Sequence, residues 1–436
     1  MKRTNLFTGA NTMRSEFTAR RQRPAFGFTL DWSKSFAVLA VLVSGGGCGR
    51  PVPEAASPSC ERSTCDDDTG DVVDNGQGAA TDPPDDADVL CAAESSMGCF
   101  LDENVPRVVD AVGTPGKAIG LVVGVSFADV RLVRGYGATE RGGDTSPHEK
   151  TVFELASVTK VVTGYLAARS VNNGELLLSE PISNYFGPDV PSYEGTPIRL
   201  LHLATHRSGL PKEPTNLIGA PPTPGAGYTR ELLEQFLAGY MLPRAPGAAY
   251  EYSNLGAGML GQACVDAAGV VSYESLVQRE VALPMGLVDF HVELDEAQQA
   301  RKIQGYFRGE PAPELAIGPP LQGGGALHAT ADDLLTFLEA ALEGGDPAWE
   351  AVMTPLNDMP EGDNAEIGLQ LAIEHPAGGP TVYSKNGVSP GFTTQVVFTT
   401  DPPVAVVLLS NTNPTQGLLE LGKDILAAAA DLSAFD

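Results

Sequence analysis

Strand patterns occupy the two ends of the foldable part of this chain, and helical patterns fill the middle. "AIGLVVGVSF" (118–127) and "VRLVRGYGA" (130–138) read as two strands joined by a short turn around Ala128-Asp129. Strand patterns return at "TVYSKNG" (381–387), "GFTTQVVFTT" (391–400) and "PVAVVLLSNT" (403–412), followed by a last helix over about 415–432. From about 155 to 345 the chain carries helical patterns separated by Pro/Gly loops, among them "VTKVVTGYLAARSV", "TRELLEQFLAGY", "LGAGMLGQACVDAAG" and "YESLVQREVALPMG". "NVPRVVDAV" (104–112) also has helical spacing. One sheet must therefore be built from distant segments, with the middle helices forming a second lobe. This is an α+β architecture with a groove where the lobes meet, a common place for a site.

The residues ahead of this body divide in two. Residues 1–50 hold eight Lys/Arg against two Asp/Glu, and residues 51–104 hold one Arg against fourteen Asp/Glu. In the first segment a basic run precedes "FAVLAVLV" (36–43) and "SGGGC" ending at Cys48. That order describes an export signal, and its eight apolar residues are too few to span a bilayer. Cys48 resembles a bacterial lipoprotein site, where the cysteine is lipidated; Gly45 stands where an aliphatic residue is usual, and plain signal cleavage nearby is the alternative. Residues 1–48 are read as the signal, and the product as exported to the periplasm or cell envelope and held there by lipid alone. The second segment, 49–103, contains "CDDDTGDVVDNGQGAATDPPDDAD" and reads as an acidic, solvated tether. Its Cys60, Cys65, Cys91 and Cys99 suit two disulfides in an oxidising compartment, leaving Cys264 as a buried thiol. The folded domain is expected over 104–436. The formal net charge of −27 argues against a nucleic-acid partner. No cysteine or histidine spacing suggests a metal site.

Three short stretches carry chemistry. In "FELASVTK" (153–160), Ser157 and Lys160 stand one helical turn apart at the mouth of a helix. A serine hydroxyl needs a base to act as a nucleophile, and a lysine serves only if desolvation or a nearby cation keeps it partly neutral. The helix start also leaves the Ser157 N–H free to stabilise an oxyanion. The bland reading makes Ser157 an N-cap and Lys160 a solvated residue. In "YEYSNLGAGMLG" (250–261), Tyr252 can shuttle protons and Asn254 can hold a substrate carbonyl; alternatively Tyr252 is core and Asn254 an N-cap. In "YSKNGVSPGF" (383–392), Lys385 can bind a carboxylate and depress the pKa values of Lys160 and Tyr252, and Gly387 leaves room for a ligand along the backbone. Alternatively Lys385 only guards a sheet edge.

Taken in this order, the three stretches form one constellation. The chain resembles the serine β-lactamase and penicillin-binding-protein superfamily, in its class C-like branch, where Y-x-N replaces S-D-N beside shared S-x-x-K and K-T-G elements. The resemblance runs from about 104 to 425 and includes "IRLLHLATHRSGLP", "PGAAYEYSNLGAGMLG" and "GGGALHATADDLLTFLEAALEGG". It implies a β-lactamase/transpeptidase-like fold and an acyl-enzyme formed on Ser157. Lys160 and Tyr252 would share the proton work, Asn254 would orient the substrate amide, and Lys385 would supply electrostatics and carboxylate affinity. The N–H groups of Ser157 and Val388 would form the oxyanion hole. Asn386 stands where lactam-active members carry threonine, beside Gly387. The implied substrates are β-lactams or peptidoglycan stem peptides ending in D-Ala-D-Ala, handled by a monomer with no cofactor and no metal. An esterase on the same constellation, or a non-catalytic cell-envelope binding protein, are the alternatives.

Overall fold

The computed structural model describes residues 86–217, 225–360 and 365–433, all within one compact unit, Cys60–Asp436. The signal, Cys48, Cys60 and Cys65 lie outside the described residues.

The expected sheet is present. Strands β1 (Gly120–Phe127) and β2 (Val130–Gly137) form a hairpin whose turn residues Ala128 and Asp129 have φ of 43° and 61°. Positive φ at both central residues suits a tight turn that preserves strand twist. Three short strands that the sequence reading lacks, β3 (Asn357–Asp358), β4 (Ala365–Ile367) and β5 (Ala372–Glu374), extend the sheet. They precede β6 (Val382–Val388), β7 (Thr393–Thr400) and β8 (Pro403–Ser410). The order is β2-β1-β8-β7-β6-β5-β4-β3, antiparallel throughout. Next to the edge hairpin, Leu121 of β1 lies opposite Ser410 of β8.

Both faces of the sheet are covered, and alternation along the strands decides which side chains go where. Leu121, Val123, Val125 and Phe127 join Val404, Val406 and Leu408 against helices α1 (Asp86–Asn104) and α9 (Leu418–Ser433). Their neighbours Val122, Ala405, Val407 and Leu409 join the opposite core, with α2 (Thr159–Asn172) and α7 (Ala331–Leu342). The helical lobe adds α3 (Leu200–Ala204), α4 (Arg230–Gly239), α5 (Asn254–Ala268) and α6 (Tyr273–Val277) to that second core. The helix expected over 273–286 is interrupted by a π-turn at Gln278–Ala282, ahead of Pro284. α8 (Pro347–Met353) was not anticipated.

One boundary moves. The tether expected to run to residue 103 gives way to α1, in which Met97 and Leu101 are fully buried against the sheet. Asp102 accepts hydrogen bonds from Arg134 Nη1 (2.7 Å) and Tyr136 Oη (3.0 Å) of β2, and Cys99 is disulfide-bonded. Leu90, Ala93, Met97 and Leu101 recur at helical spacing, a signal swamped by the Asp-rich composition just upstream. The helix expected at 104–112 shrinks to one 3-10 turn, Val105–Arg107. Beyond it, Val109 bridges to Ala118, and Asp110 closes a turn by accepting the Val112 N–H (2.9 Å).

Candidate active site

The three stretches converge where β6 meets the start of α2. Ser157 lies in a 3-10 turn, Ala156–Val158, that runs straight into α2. The turn begins with Ala156 at φ +47°, a conformation non-glycine residues seldom hold and one that structures store at functional sites. Its frame is fixed by the Leu155 N–H donating to Leu327 O (2.9 Å) and by Thr394 Oγ1 of β7 donating to Leu155 O (3.0 Å).

Ser157 does not cap α2, which has no side-chain cap. Its Oγ instead accepts from Tyr252 Oη (2.8 Å) and Lys160 Nζ (3.1 Å). Lys160 is not solvated: it has no exposed surface. Its Nζ also donates to Asn254 Oδ1 (2.7 Å) and to the Gly324 carbonyl. Burial pulls this amine down to about 7; Glu213 opposes the shift and Lys212 adds to it. At its ordinary value of 10.5 roughly one amine in 3,000 would be neutral at pH 7, whereas at about 7 half are.

Asn254 is not the cap of α5 either. Ser253 takes that place, accepting from Gly256 N (2.8 Å), which leaves the Asn254 amide to the site. Its Oδ1 faces Lys160, and its Nδ2 donates to Glu213 Oε1. Tyr252 stands between two cations, with Lys160 Nζ 5.0 Å and Lys385 Nζ 4.9 Å from its ring centre. Lys385 thus faces the site rather than merely guarding an edge.

The glycine of the third stretch marks a close approach within the protein. A Cβ on Gly387 would lie 2.3 Å from Leu155 O and 3.1 Å from Ser157 N. Its missing side chain therefore lets β6 press directly against the Ser157 turn. β5 ends opposite Ser384, so among the described residues β7 alone is paired to β6 from Lys385 to Val388. The Ser389 N–H donates to Phe392 O (3.1 Å), so strand alternation turns the Val388 N–H to the other, unpaired edge. Asn386 and Val388 are exposed along this stretch.

Three participants escaped the sequence reading. The Gly324 carbonyl comes from a 3-10 segment, Pro319–Gly324, on which α5 packs closely through Gly258 and Gly261. His206 is buried against Tyr252, with ring centres 4.6 Å apart, and its Nδ1 accepts the Ser253 N–H (3.2 Å). Burial, with Lys385 and Lys160 nearby, holds it well below its usual pKa, so it is neutral. Glu213 follows the "SGLP" turn; desolvation raises its carboxyl above the usual range, although the Asn254 hydrogen bond, Lys160 and Lys212 pull it back. Lone His and Glu residues beyond a turn carry no spacing signal, and only the tertiary fold brings them here.

The Beta-lactamase family profile matches residues 105–430. The D-alanyl-D-alanine-carboxypeptidase/endopeptidase AmpH of Escherichia coli K12 is 30% identical over 246 residues, which cover 56% of this chain and 62% of AmpH. The chain thus spans less than two thirds of that relative's length. A β-lactamase of Yersinia enterocolitica is 24% identical over 375 residues, covering 77% of this chain and 92% of its own. A β-lactamase/D-alanine carboxypeptidase from Yersinia pestis superposes with a TM-score of 0.67 at 22% identity, over 77% of this chain and 98% of that one. A class C β-lactamase gives 0.65 at 18% identity, over 78% and 96%. The β-lactamase fold is therefore shared, and with a profile match running from the end of α1 to α9 the chain belongs to the Beta-lactamase family.

Proposed function

We propose that this protein is a serine hydrolase acting through an acyl-enzyme on β-lactams or on peptides ending in D-Ala-D-Ala. The observation that carries this reading is the Ser157 hydroxyl held between Tyr252 Oη and the fully buried Lys160, whose amine burial pulls down to about 7. The Ser157 Oγ bonds to the substrate carbonyl carbon while its proton passes to the Lys160–Tyr252 pair. The oxyanion lies against the Ser157 and Val388 N–H groups. The C–N bond then breaks, and the leaving nitrogen takes the proton from the same pair. Water next adds to the ester carbonyl, the Ser157 Oγ–C bond breaks, and Oγ regains a proton. Asn254 orients the substrate amide. Lys385, helped by Asn386 on the open edge of β6, draws the substrate carboxylate. The kinship with β-lactamases and AmpH supports this substrate class.

Export and lipid anchoring at Cys48 belong to the same proposal and rest on the sequence of residues 1–48. An envelope address would place the enzyme beside peptidoglycan.

Turnover of a cephalosporin, a D-Ala-D-Ala peptide and a short-chain nitrophenyl ester should be measured side by side. Turnover of the cephalosporin or the peptide is expected; turnover of the ester alone would replace this reading with the esterase one. The pH profile follows from Lys160. Only its neutral form accepts a proton, so kcat/KM is expected to climb about tenfold per pH unit below about 7 and to level off above it. A profile that climbs instead toward pH 10 would place the titrating group elsewhere.

A further inference from the structure

Asn254 is engaged at both ends of its amide. Its Oδ1 accepts from Lys160, and one hydrogen of its Nδ2 goes to the Glu213 carboxylate. An amide NH2 has a second hydrogen, the one available to a substrate carbonyl. Glu213 therefore sits one side chain away from the place the amide offers to a substrate's acyl carbonyl. The chain around it is held in place: the N–H groups of Asn254 and Leu255 both donate to Lys212 O (2.9 and 3.1 Å). Glu213 keeps solvent access although its carboxyl is partly desolvated; Asn254 is its hydrogen-bond partner, Lys160 and Lys212 act on it from further off, and among the described residues no cation lies within ion-pair distance of it. A carboxylate so placed meets whatever substituent lies beyond the acyl carbonyl. It attracts an ammonium group there and repels a second carboxylate.

We infer that Glu213 is a specificity-determining residue that selects substrates carrying an amine on the acyl side of the scissile bond. The natural substrate class would then be an amine-bearing stem peptide, with the terminal carboxylate read by Lys385 and the side-chain ammonium by Glu213. The two charges of such a substrate would match the Lys385 ammonium and the Glu213 carboxylate. The inference rests on the acyl-enzyme reading above.

Three penicillins with one nucleus separate the contributions: ampicillin bears an ammonium, benzylpenicillin no side-chain charge, and carbenicillin an extra carboxylate. Their kcat/KM values report acylation and should be measured on the full chain at neutral pH. The expected order is ampicillin, benzylpenicillin, carbenicillin, with about 10- to 100-fold between the extremes, the range of one charged hydrogen bond. Glu213→Gln keeps an acceptor for Asn254 and removes the charge; it should shrink the ampicillin-to-carbenicillin ratio to within about threefold. Glu213→Lys should invert the order. An unchanged ratio in Glu213→Gln, or equal rates on all three in the unmodified protein, overturns the inference and leaves the hydrolase reading intact. Failure to acylate with any of the three removes the hydrolase reading, and this inference with it.

Discussion

Ser157→Ala is expected to lower kcat/KM on a cephalosporin or a D-Ala-D-Ala peptide by a factor on the order of 10⁴ or more, and to abolish labelling by a fluorescent penicillin. Nucleophile removal has effects of this size because the remaining groups work as a unit around the missing oxygen. The fold should be nearly indifferent. The Ser157 side chain bonds to Tyr252 and Lys160, and Lys160 keeps Asn254 and the Gly324 carbonyl. Unchanged circular dichroism and a Tm within a few degrees would accompany the lost activity. Label that persists in the variant would mean another nucleophile, and the assignment of Ser157 would fail.

Gly387→Ala is expected to damage both stability and catalysis, through a single methyl group. The new Cβ would meet Leu155 O at 2.3 Å, a backbone atom that cannot rotate away, and Thr394 Oγ1 at 2.3 Å. β6 and the nucleophile turn must separate to admit it. Overpacking of this kind costs about 1–3 kcal/mol. Because that separation moves the Val388 N–H away from Ser157, kcat/KM should fall by about 100-fold, the scale of a 1 Å misplacement. Denaturant melts and kinetics on the same preparation would check both. If the activity survives while stability drops, the close contact serves packing only.

The outline of the fold was legible because its largest pieces are regular. The hairpin at β1 and β2, the three C-terminal strands and the helices α2, α4, α5 and α7 each carry a long apolar pattern with one period. What was missed is short or compositionally masked. β3 to β5 are two or three residues each, too short for alternation to register. α1 follows an Asp-rich run that hides its apolar stripe. In the site, the triplets around Ser157, Tyr252 and Lys385 were readable because spacing and order carry information. The capping residue, the carbonyl under Lys160, and the places of His206 and Glu213 depend on backbone paths between distant segments. Gly387 marks a limit of such signals: a strand glycine announces a close approach, but not that the protein's own backbone, here Leu155 O, is what approaches.

The pairing of β1 with β8 has a temporal consequence. Ribosomal synthesis proceeds from the N-terminus, so β1 emerges long before β8, the strand that flanks it on its inner side. The same holds within the site, where Ser157 and Lys160 wait for Lys385 and Gly387. Contacts of such sequence separation close late and slowly, because loop-closure entropy is lost before they form. A nascent chain thus has neither Lys385 nor the Gly387 backbone beside Ser157 until β6 has been made. If Ser157 is the nucleophile proposed above, its hydroxyl is expected to stay unreactive toward a fluorescent penicillin in chains stalled before β6.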